Sequence, residues 1–278
     1  LLVAAKKAYT NEKPFLTDGQ YDVMKEYVDR EYPDNEASQL VGAPAVRNKV
    51  TLPYNMFSMN KIKMNTAALS QWKQQFTGED GYEISAKLDG VSGMYSTEGD
   101  EPKLYTRGNG VVGQDISHII PYLNLPTAKG IVVRGEFLIP KAVFADKYAE
   151  SFSNARNLVA GIINALKKAD VKKYKDLHFV AYEVIVPTLK PSHQMSELES
   201  LGFRTVIHQS ITNGELDNDF LSEKLKDWRV SHTYEIDGVI VTENKIHSRQ
   251  MGNPEHSFAF KMVLSDQMAE AKVLQSAI

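Results

Sequence analysis

The 278-residue sequence contains no cysteine, so disulfide staples and thiolate zinc sites are excluded within it. It also lacks an apolar run of the roughly 20 residues that a membrane-spanning helix needs, and shows no signal-peptide pattern. No membrane partner is therefore expected. Basic excess is missing too: 32 Lys and Arg stand against 35 Asp and Glu, for a formal net charge of −3. Proteins that hold duplex nucleic acid unaided carry a basic footprint, because neutralising phosphates drives that association. The balance argues against a self-sufficient clamp and leaves room for a local basic groove. Repeats and low-complexity tracts are absent. What is present is 42% hydrophobic and 24% charged, the make-up of an ordinary globular chain long enough for one large domain, or a large and a small one.

The first fifty residues read as helical. Leu1 to Tyr9 forms a plausible helix that stops before Pro14, and Thr17 with Gln20 has capping-box spacing ahead of Tyr21, Met24 and Tyr27. From Tyr82 the pattern changes to short β runs: Tyr82–Ser85, Val91–Ser96, Lys103–Thr106, Ile131–Ile139, Leu177–Val186, Ile236–Val241 and Phe258–Val263. Helices are predicted after Ser153-Asn154, around Ser196–Leu201 and over Phe220–Trp228. Strands interleaved with helices, without βαβ regularity, predict a mixed, largely antiparallel α+β domain. The expected division is a helical module over 1–50, a main domain over 51–266, and a link beginning at 267–278.

The run Lys87-Leu88-Asp89-Gly90 is read as a loop after a strand. A lysine that attacks phosphorus must be neutral, so its site is expected to lower its pKa. Yet a Lys-x-Asp-Gly string arises by chance in about one chain in fifteen of this length. Taken alone, the tetrapeptide is better explained as a hairpin turn with Asp-Gly at its tip. Its ordered company changes that. Thr106-Arg107-Gly108-Asn109-Gly110 with Gly113-Gln114-Asp115 comes next, followed by Arg134-Gly135-Glu136. Then come Asn154-Ala155-Arg156-Asn157 with Ala160-Gly161, Ile236-Asp237-Gly238-Val239-Ile240-Val241, and finally Ala259-Phe260-Lys261.

In order and spacing these blocks closely resemble the nucleotidyltransferase motifs of the NAD+-dependent DNA ligases. Leu16-Thr17-Asp18-Gly19-Gln20-Tyr21-Asp22 and Ser38-Gln39-Leu40-Val41-Gly42-Ala43 are similar to the small helical module peculiar to that family. The resemblance runs from about Tyr9 to Lys261. It implies an α+β nucleotidyltransferase (ATP-grasp-like ligase) domain preceded by a module that grips the nicotinamide mononucleotide (NMN) half of the cofactor. Lys87 would attack the α-phosphorus of NAD+, releasing NMN and leaving lysyl-AMP, from which AMP passes to the 5′-phosphate of nicked DNA.

The same resemblance implies the roles of the other residues. Asp89 would orient Lys87 and the ribose, Glu136 would contact ribose or Mg2+, Asp237 would serve the metal and the protonation state of Lys87, and Lys261 would neutralise the α-phosphate. Arg107, Arg156 and Arg229 would contact phosphates, and Tyr182 would stack on adenine. Tyr9, Asp18, Tyr21, Asp22, Ser58, Met59 and Ser85 complete the expected cofactor contacts. The implied partners are NAD+, Mg2+ and nicked duplex DNA, the implied state is a monomer, and the implied setting is the cytoplasm of a bacterial, phage or viral system. The basic run Lys167, Lys168, Lys172, Lys173 and Lys175 could face DNA, although such a run is more often a solvated face. The seven histidines show no metal-ligand spacing.

The match departs from the family at several places. Ser85 stands where an acidic residue usually reads the adenine edge, Thr242 replaces a basic residue, and Asn109 and Gln114 replace acids. Asn164 replaces an arginine, Ala155 a proline, and Thr10 a histidine. Family members continue into an oligonucleotide-binding barrel, a four-cysteine zinc module and helix-hairpin-helix repeats. A chain without these is expected to adenylate itself and to seal nicks poorly, and one opening at Leu1 is expected to be a trimmed or partial sequence. Two readings compete: an ATP-dependent polynucleotide ligase or capping-type nucleotidyltransferase, and a non-catalytic nucleic-acid-binding relic of the fold.

Overall fold

A computed structural model of the chain describes residues 24, 27, 48–64, 67–164 and 171–262. Met24 and Tyr27 are helical, whereas Lys49 and Val50, at the end of the expected helical module, lie in a strand; residues 1–23, 25–26 and 28–47 of that module, the expected link over 267–278, and Lys167 and Lys168 lie outside the described residues.

Two five-stranded sheets and a two-stranded ribbon carry the fold. β1 (Lys49–Thr51) pairs with β6 (Val112–Gln114) in the ribbon. The first large sheet, in spatial order, comprises β10 (His208–Ile211), β3 (Tyr82–Leu88), β11 (Ile236–Glu243), β12 (Ser257–Lys261) and β2 (Asn60–Lys63). The second comprises β5 (Lys103–Thr106), β4 (Val91–Ser96), β7 (Val132–Leu138), β8 (His178–Val186) and β9 (Arg204–Thr205). Among the described residues, only the β12–β2 and β8–β9 pairs are parallel, which gives the mixed, largely antiparallel α+β fold.

Six α-helices are described: α1 (Ala68–Gln75), α2 (Lys141–Lys147), α3 (Ala155–Asn164), α4 (Val171–Tyr174), α5 (Pro191–Ser200) and α6 (Asn218–Ser231). The Asn154 side chain accepts from the Asn157 amide at 2.8 Å at the start of α3, and Asp217 accepts from the Phe220 amide at 2.8 Å at the start of α6. Each satisfies a backbone donor that the first helical turn leaves unpaired. Helix α5 begins five residues before the expected Ser196, because Pro191 at its first position has a pre-set φ and no N–H to satisfy.

Strand alternation places the site. Along β3, Tyr82, Ile84, Ala86 and Leu88 are buried in the main core, while Ser85 and Lys87 are half-exposed on the opposite face. Val239, Val241, Phe258 and Phe260 continue the buried face on the neighbouring strands. There Trp72 of α1 packs edge-on against Phe258 with ring centroids 4.7 Å apart, and α6 packs on β11. In the second sheet the central strand is embedded on both faces, all seven residues of β7 being buried.

Lys87 therefore lies within a strand, where the sequence had predicted a loop. Its strand runs on to Leu88 because β11 pairs along its whole length. Asp89-Gly90 is not a hairpin tip either. β3 and β4 belong to different sheets, and the two residues carry the chain across from one to the other. A Cβ on Gly90 would run into the Phe137 carbonyl, so the crossing closes only with glycine.

Candidate active site

The two sheets face each other across a cleft of about 1700 Å³. From the first sheet it receives Ser85, Lys87, Asp237, Ile240 and Lys261; from the second, Ser92, Arg134, Glu136, Tyr182 and Glu183. Arg107 reaches it from the turn between β5 and β6, Arg156 from α3, and Ser58 and Met59 from the loop before β2. Ten of the candidate residues thus line one cavity.

Asp237 sits at the centre. Lys87 Nζ donates to its Oδ1 at 2.7 Å, and Lys261 Nζ lies 2.9 Å from its Oδ2. The convergence depends on Gly238, which pairs with Lys87 across β3 and β11. A Cβ there would sit 2.6 Å from the Phe260 carbonyl oxygen, 3.4 Å from Lys261 Cγ and 3.5 Å from Lys87 Cδ. Only a residue without a side chain lets the two lysines lean together over that strand.

Electrostatics divide the groups. Burial acts to lower the Lys87 pKa, but Asp237, then Asp89 and Glu136, outweigh it and hold the pKa above its ordinary value. This reverses the expectation of a depressed lysine: burial acts in the expected direction, and the balance against the carboxylates is set by distances that only the folded chain fixes. Burial pushes Asp237 up, and the two lysines more than reverse this, holding it well below the usual carboxylate range. Glu136 behaves oppositely: burial drives it up to about 7 against the lowering pull of Lys87, Arg107 and Arg134.

Asp89 is not among the residues lining the cleft; it receives Arg156 Nη1 at 2.6 Å and so ties the strand crossing to α3. Arg229 occupies the last turn of α6, outside the cleft lining, and its carbonyl accepts from Lys141. Tyr9, Asp18, Tyr21 and Asp22 fall outside the described residues, as does Thr10. At the departures, Asn109 Oδ1 accepts the Val111 and Val112 amides at 3.0 and 2.7 Å, so the amide serves the turn as an acid would. Thr242 bonds Ser257 at 2.7 Å, while Ser85 and Asn164 line the cleft. Lys172 and Lys175 are exposed.

Sequence reasoning missed Arg134, Glu183 and Arg249 as cleft residues. A regular strand sends Tyr182 and Glu183 to opposite faces, but β8 slips register against β7 here. Arg134 pairs with Glu183 and Gly135 with Ala181, leaving Tyr182 unpaired. This bulge turns both side chains into the cleft. Glu183 is gripped by Arg134 at 3.1 Å and by Arg249 at 2.5 Å, and Arg134 also donates to the Phe57 carbonyl at 3.2 Å. The Arg134 guanidinium lies 5.6 Å from the Tyr182 ring centroid, and the Tyr182 hydroxyl meets Ser92 Oγ at 2.6 Å. No local signal in the sequence marks a bulge of this kind.

The class defined by fold and site is a two-sheet α+β domain whose cleft gathers lysines, arginines and carboxylates. More narrowly, the chain belongs to the NAD-dependent DNA ligase adenylation domain family, which it matches over residues 46–263. It is 36% identical over 269 residues to a DNA ligase of Acanthamoeba polyphaga mimivirus, covering 94% of this chain and 42% of that protein. A relative in Invertebrate iridescent virus 6 is 33% identical over 280 residues, covering 95% and 43%. A DNA ligase of Clostridioides difficile (strain 630) is 29% identical over 293 residues, covering 92% and 43%. The chain spans about two fifths of the length of these curated relatives.

Proposed function

We propose that this domain takes AMP from NAD+ onto Lys87, releasing NMN, as the first step of sealing nicked duplex DNA. The observation that carries the reading is the convergence of Lys87 and Lys261 on Asp237, opposite Glu136 and Arg107, within one cleft. Lys87 is the nucleophile. Asp237, hydrogen-bonded to its ammonium, holds it toward the phosphate and is the acceptor nearest the proton that must leave. Lys261 is the cation placed to meet charge on the α-phosphate. Arg107 and Arg156 add guanidinium donors for phosphate or ribose oxygens, and Asp89 fixes Arg156. Tyr182 offers a ring face for adenine opposite Ile240, which Ser85 and Ala259 flank in the ladder. Ser85 supplies a hydroxyl where the family has an acid, and Ser58 and Met59 border the same space.

Glu136 and Asp237 fit a Mg2+ ion that takes one or two protein carboxylates and completes its shell from phosphate and water. Among the described residues, no group of three or more His, Cys, Asp or Glu side chains could hold a metal by itself. The ion would supply positive charge that offsets the carboxylates now holding Lys87 protonated. Nicked DNA is the substrate of the later steps, and the four N-terminal candidates Tyr9, Asp18, Tyr21 and Asp22 would hold the NMN half. Among the described residues, no helix is long and apolar enough to cross a membrane.

Intact-mass spectrometry tests the reading. The chain with NAD+ and Mg2+ gains one AMP, and Lys87→Ala gains none. A mass gain with ATP but not NAD+ would refute NAD+ as the donor, and no gain with either would refute adenylation itself.

A further inference from the structure

Sheet register places one more cation in the row that holds the two converging lysines. Lys87 on β3 pairs with Gly238 on β11. Lys261 follows on β12, its Cγ 3.4 Å from the position of a Gly238 Cβ, and Lys261 pairs in parallel with Lys63 on the edge strand β2. Residues aligned across neighbouring strands project on the same side about 4.8 Å apart. Lys63 is exposed, and with Lys61 two residues earlier it borders the same cleft, while Ile62 between them is buried. The order across the sheet is therefore Lys87, a gap without a side chain, Lys261, Lys63.

That order has a direction. Displacement at phosphorus keeps the attacking and leaving atoms roughly in line. With Lys87 at one end of the row and the α-phosphorus held over Gly238 by Lys261, the departing oxygen emerges on the side of Lys261 and Lys63. We propose that Lys63 is the cation that receives the phosphate of the departing mononucleotide. This rests on the functional reading above, in which Lys87 accepts AMP.

In the step, the Lys87 nitrogen, neutral after one proton has left through Asp237, forms a bond to the α-phosphorus, and the bond from that phosphorus to the bridging oxygen breaks. The oxygen keeps the electron pair and leaves as a phosphate monoester. The attacking nitrogen then gives up its second proton to solvent. Negative charge thus accumulates on the leaving phosphate as the bond breaks, and a lysine ammonium suits it as a mobile point charge.

Lys63→Gln and Lys63→Arg test this in the whole chain, with thermal melting as a folding control. Two rates are followed: single-turnover charging by labelled NAD+, and discharge of the lysyl-AMP chain by NMN. Lys63→Gln should slow charging at saturating NAD+ about ten- to a hundredfold, the range for a charge-assisted hydrogen bond, and raise the NMN concentration needed for discharge about tenfold. Lys63→Arg should recover most of both. Charging and discharge at the wild-type rates in Lys63→Gln would overturn the proposal. A defect confined to AMP transfer from preformed lysyl-AMP to a 5′-phosphorylated nick would also overturn it, reassigning Lys63 to the DNA phosphate. Failure of the wild-type chain to charge with NAD+ would remove the functional reading, and is recognised by its independence of residue 63.

Discussion

Replacing Glu136 with glutamine should stabilise the protein at neutral and alkaline pH. Glu136 is only 9% exposed, and its folded-state pKa stands at about 7 against an ordinary 4.5. Burial is the main cause; Lys87, Arg107 and Arg134 only partly offset it. Between those two values the folded state binds more protons at this position than the unfolded state does, so stability falls as pH rises through the window. At about 1.4 kcal/mol for each pH unit between them, ionised Glu136 costs the fold about 3 kcal/mol above pH 7. Glutamine resembles the protonated acid and escapes that cost. Urea denaturation of both proteins from pH 4 to 8 should give curves that nearly coincide below pH 5. They should then separate to about 3 kcal/mol above pH 7 in favour of Glu136→Gln. A constant gap across the range, or a glutamine variant less stable at pH 8, would refute the reasoning. The same substitution should greatly reduce self-adenylation, since stability gained at a functional carboxylate is commonly set against activity.

Gly238→Ala should abolish AMP transfer in the mass assay. Its Cβ would lie 2.6 Å from a backbone carbonyl, and urea titration should show a stability loss of about 1–3 kcal/mol from overpacking. Glu183→Gln leaves Arg134, only 7% exposed, facing a weakened partner. A loss of about 2 kcal/mol is expected in denaturant, discounted from the 3–5 typical of a fully buried pair because Glu183 is one quarter exposed. Tyr182→Phe removes the bond to Ser92, with a stability change of about 1 kcal/mol, and keeps the ring. Calorimetry should find NAD+ affinity nearly unchanged in Tyr182→Phe and about ten- to a hundredfold weaker in Tyr182→Ala; equal losses in the two would exclude a stacking role.

By itself, the sequence determined what depends on neighbours along the chain. The β-favouring run over Tyr82–Ser85 marked the start of β3, although its continuation through Lys87 was not legible locally. Asn154 marked a helix start by the chemistry of its side chain, and the ordered motif blocks singled out Lys87, Glu136, Asp237 and Lys261 as candidates. Tertiary structure decided what depends on strands far apart in sequence. Lys87 and Asp237 are 150 residues apart, and only the ladder of β3 with β11 brings them to 2.7 Å. That pairing extends the strand through Lys87, where local reading had a loop, and the surrounding carboxylates raise the pKa that the chemistry needs lowered. The bulge that turns Glu183 into the cleft arises between β7 and β8, not within either. Lys63 joins the row because β2 adds in parallel to the edge of β12. Register between strands is fixed by which faces can be buried together, and no short window of sequence contains both partners.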